Sequence, residues 1–405
     1  MKICVSLYFQ NKNNKYLIVR KLHFYIGFFL LIILPFFTHA QETDSTKNKI
    51  SHRFTTLSFE ARAELEYMGA YQWENTNDPI TYHLDKTGWN SNYGFHGQYF
   101  NFLIGGDIGN HISYFFRQRI IPKAGSVSFF DNTDFLYIQY RFNDRWAIRM
   151  GKEALYVGGF EYDAAPIDVF YYTHFWGTIH CFQLGVSVSY TDKQKKNKIA
   201  FQFANSPYIY YEGTGNEWKK GLFSYNLYWN GNYGPFTALY SINLMEYERG
   251  SFVNYIALGN KLSFNKWSIY IDYQNRAASF KHFFRDFTVV GRLDWHVSPS
   301  VNLFAKGGYD QNFAENFYTD KPMDVMIPAG HNYHFYGLGI EFRPMTYQDL
   351  RIHAFVANSV LYRPEILPNE TVSYRIPDEG HGTLQVNVGA TWKINFLKYL
   401  PDRLK

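Results

Sequence analysis

The chain has 405 residues and only two cysteines, Cys4 and Cys181. Cys4 falls in a segment that reads as a cleaved leader, which excludes an intramolecular disulfide or a cysteine metal cage in what remains. The formal charge of +5 comes wholly from residues 1 to 40, where Lys2, Lys12, Lys15, Arg20 and Lys21 meet no acid. Beyond them 35 basic residues face 35 acidic ones, a balance that gives no basis for a nucleic-acid partner.

The first 40 residues are predicted to be a secretory signal peptide. A basic stretch leads into the apolar run Phe24 to Phe37, followed by Thr38-His39-Ala40 before Gln41. Its 14 residues fall short of the ~20 that a spanning helix needs, and Pro35 interrupts it. Beyond Gln41 no apolar run approaches helical spanning length. Aromatic residues nevertheless form 20% of a chain whose mean hydropathy is negative, which suits strands alternating between lipid and water.

Residues 41–54 read as a periplasmic segment, 55–396 as a β-barrel, and 397–405 as a tail. Period-2 alternation predicts sixteen strands, near 55–67, 94–108, 111–121, 134–143, 146–154, 180–191, 197–206 and 222–230. They continue near 235–247, 252–264, 266–276, 286–297, 301–312, 331–343, 350–362 and 382–396. In the last, Leu384, Val386, Val388, Ala390, Trp392, Ile394 and Phe396 share one face, opposite Gln385, Asn387, Thr391, Lys393 and Asn395. Such a second face is too polar for a sandwich core and suits a wet lumen. Trp146, Trp267, Trp295, Trp392 and Phe396 are candidates for an aromatic girdle.

The connections give an independent test. Short turns rich in Gly, Asn, Asp and Pro fall at every second connection, from Gly109-Asn110 to Pro344–Asp349. The intervening connections are mostly long: 68–93, 122–133, 155–179, 207–221, 277–285, 313–330 and 363–381, with 248–251 the exception. Short periplasmic turns alternating with long extracellular loops are what an all-β transmembrane antiparallel barrel requires, and they place it in the outer membrane of a Gram-negative bacterium. A propeller would show a blade repeat, and none is present.

Residues 155–179 read LYVGGFEYDAAPIDVFYYTHFWGTI, too apolar for a loop in open water. The surface available to them is the inner wall of the barrel. The stretch from Arg149, with Gly151-Lys152, Gly158-Gly159-Phe160-Glu161 and Pro166-Ile167-Asp168, resembles the phosphate-selective porin O and P family, especially its Bacteroidetes members. The resemblance implies a 16-stranded barrel, usually a homotrimer, whose third extracellular loop folds inward and narrows the pore. It also implies small polar solutes or ions as cargo, anions such as phosphate among them.

The charges leave that preference open. Candidate constriction residues are Glu161, Asp163 and Asp168, with no Lys or Arg between Leu155 and Ile179. Candidate pore-lining residues are Arg117, Arg119, Arg141, Arg149, Asp272, Arg292, Asp294, Lys306 and Arg351, and rings of opposite charge select opposite ions. No catalytic, cofactor or metal constellation is expected. His174 and His180-Cys181 match no ligand spacing, Gly337-x-Gly339 lies in a strand, and no G-x-S-x-G elbow occurs. The reading is therefore passive diffusion through a loop-constricted, water-filled pore in outer-membrane lipid, without enzymatic activity. Its rivals are an outer-membrane barrel enzyme and a plugged barrel serving an assembly or secretion partner.

Overall fold

The computed structural model describes residues 52–74, 92–120, 129–179, 181–210, 221–277, 284, 286–312, 332–344, 349–366 and 372–399. The predicted signal peptide lies outside them, as do most of the 41–54 segment and residues 400–405 of the tail. The predicted long connections other than 155–179 also fall wholly or partly outside. Sixteen strands form one closed antiparallel barrel, each paired with its sequence neighbours and β1 with β16. The first eight are β1 (His52–Glu74), β2 (Asn92–Ile108), β3 (Ile112–Arg119), β4 (Thr133–Arg141), β5 (Trp146–Ala154), β6 (Phe182–Thr191), β7 (Asn197–Asn205) and β8 (Phe223–Tyr233). The others are β9 (Phe236–Glu248), β10 (Ser251–Ser263), β11 (Trp267–Ala277), β12 (Asp286–Ser298), β13 (Val301–Asn312), β14 (Asn332–Phe342), β15 (Leu350–Ile366) and β16 (Val372–Asn395). Closure leaves no unpaired edge, the condition for placing strands in hydrocarbon. Among the described residues no helix is long and apolar enough to cross a membrane.

The alternation sorts side chains inside out relative to a soluble protein. Ile138, Met150 and Leu338 are 61%, 61% and 63% exposed, an arrangement that water would penalise and lipid rewards. Trp146, Trp267, Trp295 and Trp392 also face outward, and Trp267 stacks flat on Trp295 across the β11–β12 register, with ring centroids 5.1 Å apart. Inward positions carry a hydrogen-bonded polar ladder instead. Asn226 donates to Gln202 Oε1 at 3.1 Å, and Asn243 donates to Asn226 Oδ1 at 2.7 Å.

Four strand boundaries depart from the sequence expectation. β1, β15 and β16 extend well past 67, 362 and 382, because their backbones stay paired through Tyr71↔Gly382 and Tyr362↔Gly380. The run Glu379-Gly380-His381 reads as a loop from its residue types, yet ladder hydrogen bonds need only backbone. Phe396, expected on the last strand, instead begins a 3₁₀ turn. Asn395 Oδ1 accepts from Leu397 N at 3.0 Å and ends the strand, and Phe396 packs edge-on to Phe59.

The inside-out pattern makes a direct prediction. Leu338→Arg should lower the folding stability of the barrel in lipid vesicles by up to ~4 kcal/mol, the depth deciding how much. Inward Asn230→Arg should cost little, and urea titration of the two refolded variants checks the contrast.

Candidate functional site: the inward loop and the passage beside it

The connection between β5 and β6 enters the barrel and lies along its wall. It contains α1 (Phe160–Asp163), a 3₁₀ turn at Pro166–Asp168 and α2 (His174–Thr178). Glycines set how closely it approaches. A Cβ on Gly158 would sit 2.5 Å from Leu239 O, and one on Gly259 of β10 would sit 2.7 Å from Gly159 Cα. Gly159 itself has φ of 105°, a region that disfavours side chains. With no Cβ in the way, Gly158 N donates to Ser241 Oγ at 2.8 Å and Glu161 N to Asp272 Oδ2 at 2.8 Å.

Apolar packing then seats the loop in two places. Leu155, Val157 and Phe175 join Met245, Val253 and Tyr255 of β9 and β10. Phe170 and Tyr171 join Val290, Phe304, Phe335 and Phe355 of β12 to β15. Each fully buried large side chain of this kind contributes about 1.5–3 kcal/mol. Loop α2 also starts on its own cap, with Thr173 Oγ1 accepting from Trp176 N at 3.2 Å.

Three charged clasps complete the seating. Glu161, 1% exposed, pairs with Lys306 Nζ at 2.7 Å and accepts from Thr173 Oγ1 at 2.5 Å. Lys306 Nζ also donates to Tyr171 O at 2.5 Å. Asp168 bridges Arg351 and Lys393, each at 2.9 Å. Burial alone would raise the Asp168 carboxyl, but these two cations outweigh it and hold it below its usual range. Arg62 of β1 donates to Val169 O at 2.6 Å and lies over the Phe170 ring. The loop thus leans on β9 to β16 and β1.

The opposite side stays open. A cavity of about 630 Å³ lies between Tyr162–Pro166 and Trp176 of the loop and the wall of β2 to β8. Arg117, Arg119, Arg149 and Lys198 line it, with Asp163 on the loop side. Burial pushes the Asp163 carboxyl above its usual range, and Lys198 partly opposes the shift. Arg117 and Arg119 share one buried carboxylate, Asp134, at 3.0 and 2.8 Å. Arg149 pairs with Glu153 at 2.6 Å. Lys198 forms no ion pair among the described residues.

The twelve candidate residues therefore separate into four groups. Asp163, Arg117, Arg119 and Arg149 line the cavity. Glu161, Asp272 and Lys306 are buried beneath the loop, and Asp168 is clasped by Arg351. Arg292 pairs with Asp294 of its own strand at 2.7 Å and with Glu341 of β14 at 3.0 Å, tying β12 to β14 across β13. Arg141 pairs with Asp107 at 3.2 Å, outside the cavity lining. Sequence reading missed Lys198, although its inward alternation with Ala200 and Gln202 was available to find it. Glu64, Glu66 and His96 bring ligand atoms within 4.8 Å of one another, but Glu64 Oε1 is already held by Arg62 and His353.

Residues 71–266 match the family model described as phosphate-selective porin O and P. By that match and its closed barrel, the chain is an outer-membrane porin. Solved structures share the fold at low identity. The outer membrane channel DcaP of Acinetobacter baumannii aligns with TM-score 0.55 and 8% identity, over 87% of this chain and all of that one. An anion-selective porin from Comamonas acidovorans aligns with TM-score 0.54 and 12% identity, over 85% of this chain and all of that one. Comparison with curated proteins gives no match. The matched residues span the porin's inward loop and the strands from β2 to β10, including the whole wall of the passage.

Removing one partner of a buried ion pair costs about 3–5 kcal/mol, because the other is left uncompensated. Lys306→Met should lower the porin's unfolding free energy by that order. Adding Glu161→Gln should recover part of the loss, as read by urea midpoints of the two variants.

Proposed function

We propose that this porin passes small solutes by diffusion between the inward loop and the β2–β8 wall, with a preference for anions. One observation carries the reading. Glu161 and Asp168, which in sequence make the constriction look acidic, are both spent on wall cations. The passage is left with Arg117, Arg119, Arg149 and Lys198 against Asp163. Fixed charge in a narrow, low-dielectric passage sets ion preference. Its role is to filter by size and charge, with no bond made or broken. Delivery to the outer membrane rests on residues 1–40 acting as a signal peptide, so the mature mass should begin at Gln41. The resemblance adds a homotrimer, which light scattering on detergent-solubilised protein tests.

Planar bilayers with unequal KCl on the two sides decide the main point. We expect stable conductance steps with a reversal potential of anion-preferring sign. Silent membranes from folded barrels, or a cation-preferring sign, would overturn the reading. Deleting 158–172 should increase unit conductance, since it removes the loop wall of the passage.

Acidification gives a further prediction with a defined sign. The Asp163 carboxyl titrates above the ordinary range and Asp168 below it. As pH falls, Asp163 loses its charge first, while the Asp168 clasp stays ionised and the loop stays seated. Anion preference should therefore rise on mild acidification, and Asp163→Asn should show the acid-like preference already at neutral pH.

A further inference from the structure

We propose that the cavity beside the loop is a binding site for aromatic monocarboxylates, held by Lys198 and a ring platform of Tyr156 and Tyr228. The inference rests on reading the passage as an anion pathway and goes on to name the class of anion.

Charge bookkeeping comes first. Arg117 and Arg119 share the single carboxylate of Asp134, and Arg149 is matched by Glu153. Lys198 and Asp163 face the cavity without an ion pair between them within 4 Å. Four cations against three carboxylates leave one positive charge, which suits a monoanion. A multiply charged inorganic anion would require more uncommitted donors than this wall offers. Each guanidinium already has a carboxylate on one side and aromatic rings at its face. Arg117 lies 4.6 Å over Phe135 and 5.2 Å over Phe182, and Arg149 lies 4.1 Å over Tyr137. Lys198 is the cation left to meet a ligand.

The remaining lining is largely aromatic. Tyr99, Phe135, Tyr156, Trp176, Phe182 and Tyr228 all border the cavity. The Tyr156 and Tyr228 rings lie 5.7 Å apart, tilted at 44°. In the β7–β8 register, Ala200 pairs with Tyr228 and Lys198 with Asn230. Lys198 is therefore two residues along the same inward face, diagonal to Tyr228, and it borders the same cavity as the two tyrosines. A small hydrated ion has no use for ring faces, whereas a flat apolar body joined to one carboxylate uses both features. The volume of about 630 Å³ falls within the ~300–1,000 Å³ of small-molecule sites.

The test is block of chloride current through the intact porin in planar bilayers, with benzoate, acetate and phosphate as probes. We expect benzoate to block at a concentration at least roughly tenfold lower than acetate or phosphate. Tyr228→Ala should erase the benzoate advantage over acetate. Lys198→Met should weaken block by both carboxylates. Equal block by acetate and benzoate, or strongest block by phosphate, overturns the inference but leaves the anion pathway standing. A cation-preferring KCl reversal potential on the same channels overturns both. Quenching of Trp176 fluorescence by benzoate, taken as the difference between wild type and Trp176→Phe in detergent, provides a second readout. Absence of that difference would count against the site even if a conductance variant failed to fold.

Discussion

Glu161 and Lys306 meet under the inward loop, 2.7 Å apart and shut off from water. Two charges in such a place are tolerable only together, since an unpaired one loses its hydration without replacement. Lys306 comes from β13 and Glu161 from the loop, so the pair ties the loop to one side of the barrel. Thr173 N and Oγ1 donate to Glu161, and Tyr171 O accepts from Lys306, all from the loop's return limb. Outgoing and returning limbs are thus locked around one ammonium and one carboxylate.

That attachment decides which charges face the cavity beside the loop. With the loop on the β9–β16 side, the wall from β2 to β8 is left facing the passage, and that wall happens to carry Arg117, Arg119, Arg149 and Lys198. Had the loop leaned the other way, the same sequence would have covered these cations and exposed Asp272 and Glu161. The apolar clusters around Phe175 and Phe170 provide most of the adhesion, and the ion pairs provide its register. A porin lumen is usually thought of as wet, yet half of this one is packed like the core of a soluble domain.

Glycine has a specific part in this. Gly158, Gly159 and Gly259 allow loop and wall backbones to lie closer than any side chain would permit. Without that approach the carboxylate of Asp272 could not accept from Glu161 N, and it would be a buried acid with no donor from the loop. The seating of the loop thus depends on three positions that carry no chemistry of their own.

Strand number, closure and the facing of most side chains were legible in the sequence, because a strand's side-chain period is fixed at two and lipid tolerates no exceptions. The inward course of 155–179 was legible too, from its excess of aromatic residues over what open water allows. The ribbon through Glu379, Gly380 and His381 was not, since backbone pairing leaves no mark in residue type. Nor was the fate of the charges. Alternation says that Lys306, Asp168 and Lys198 point inward or lie in the loop, but nothing local says which of them meets a partner. Glu161 and Lys306 are 145 positions apart in the chain, and only the closed barrel with its docked loop brings them together. The sequence by itself determined a barrel with a folded-in loop; the tertiary structure decided which charges remain facing the passage, because ion pairing depends on distances that periodicity does not encode.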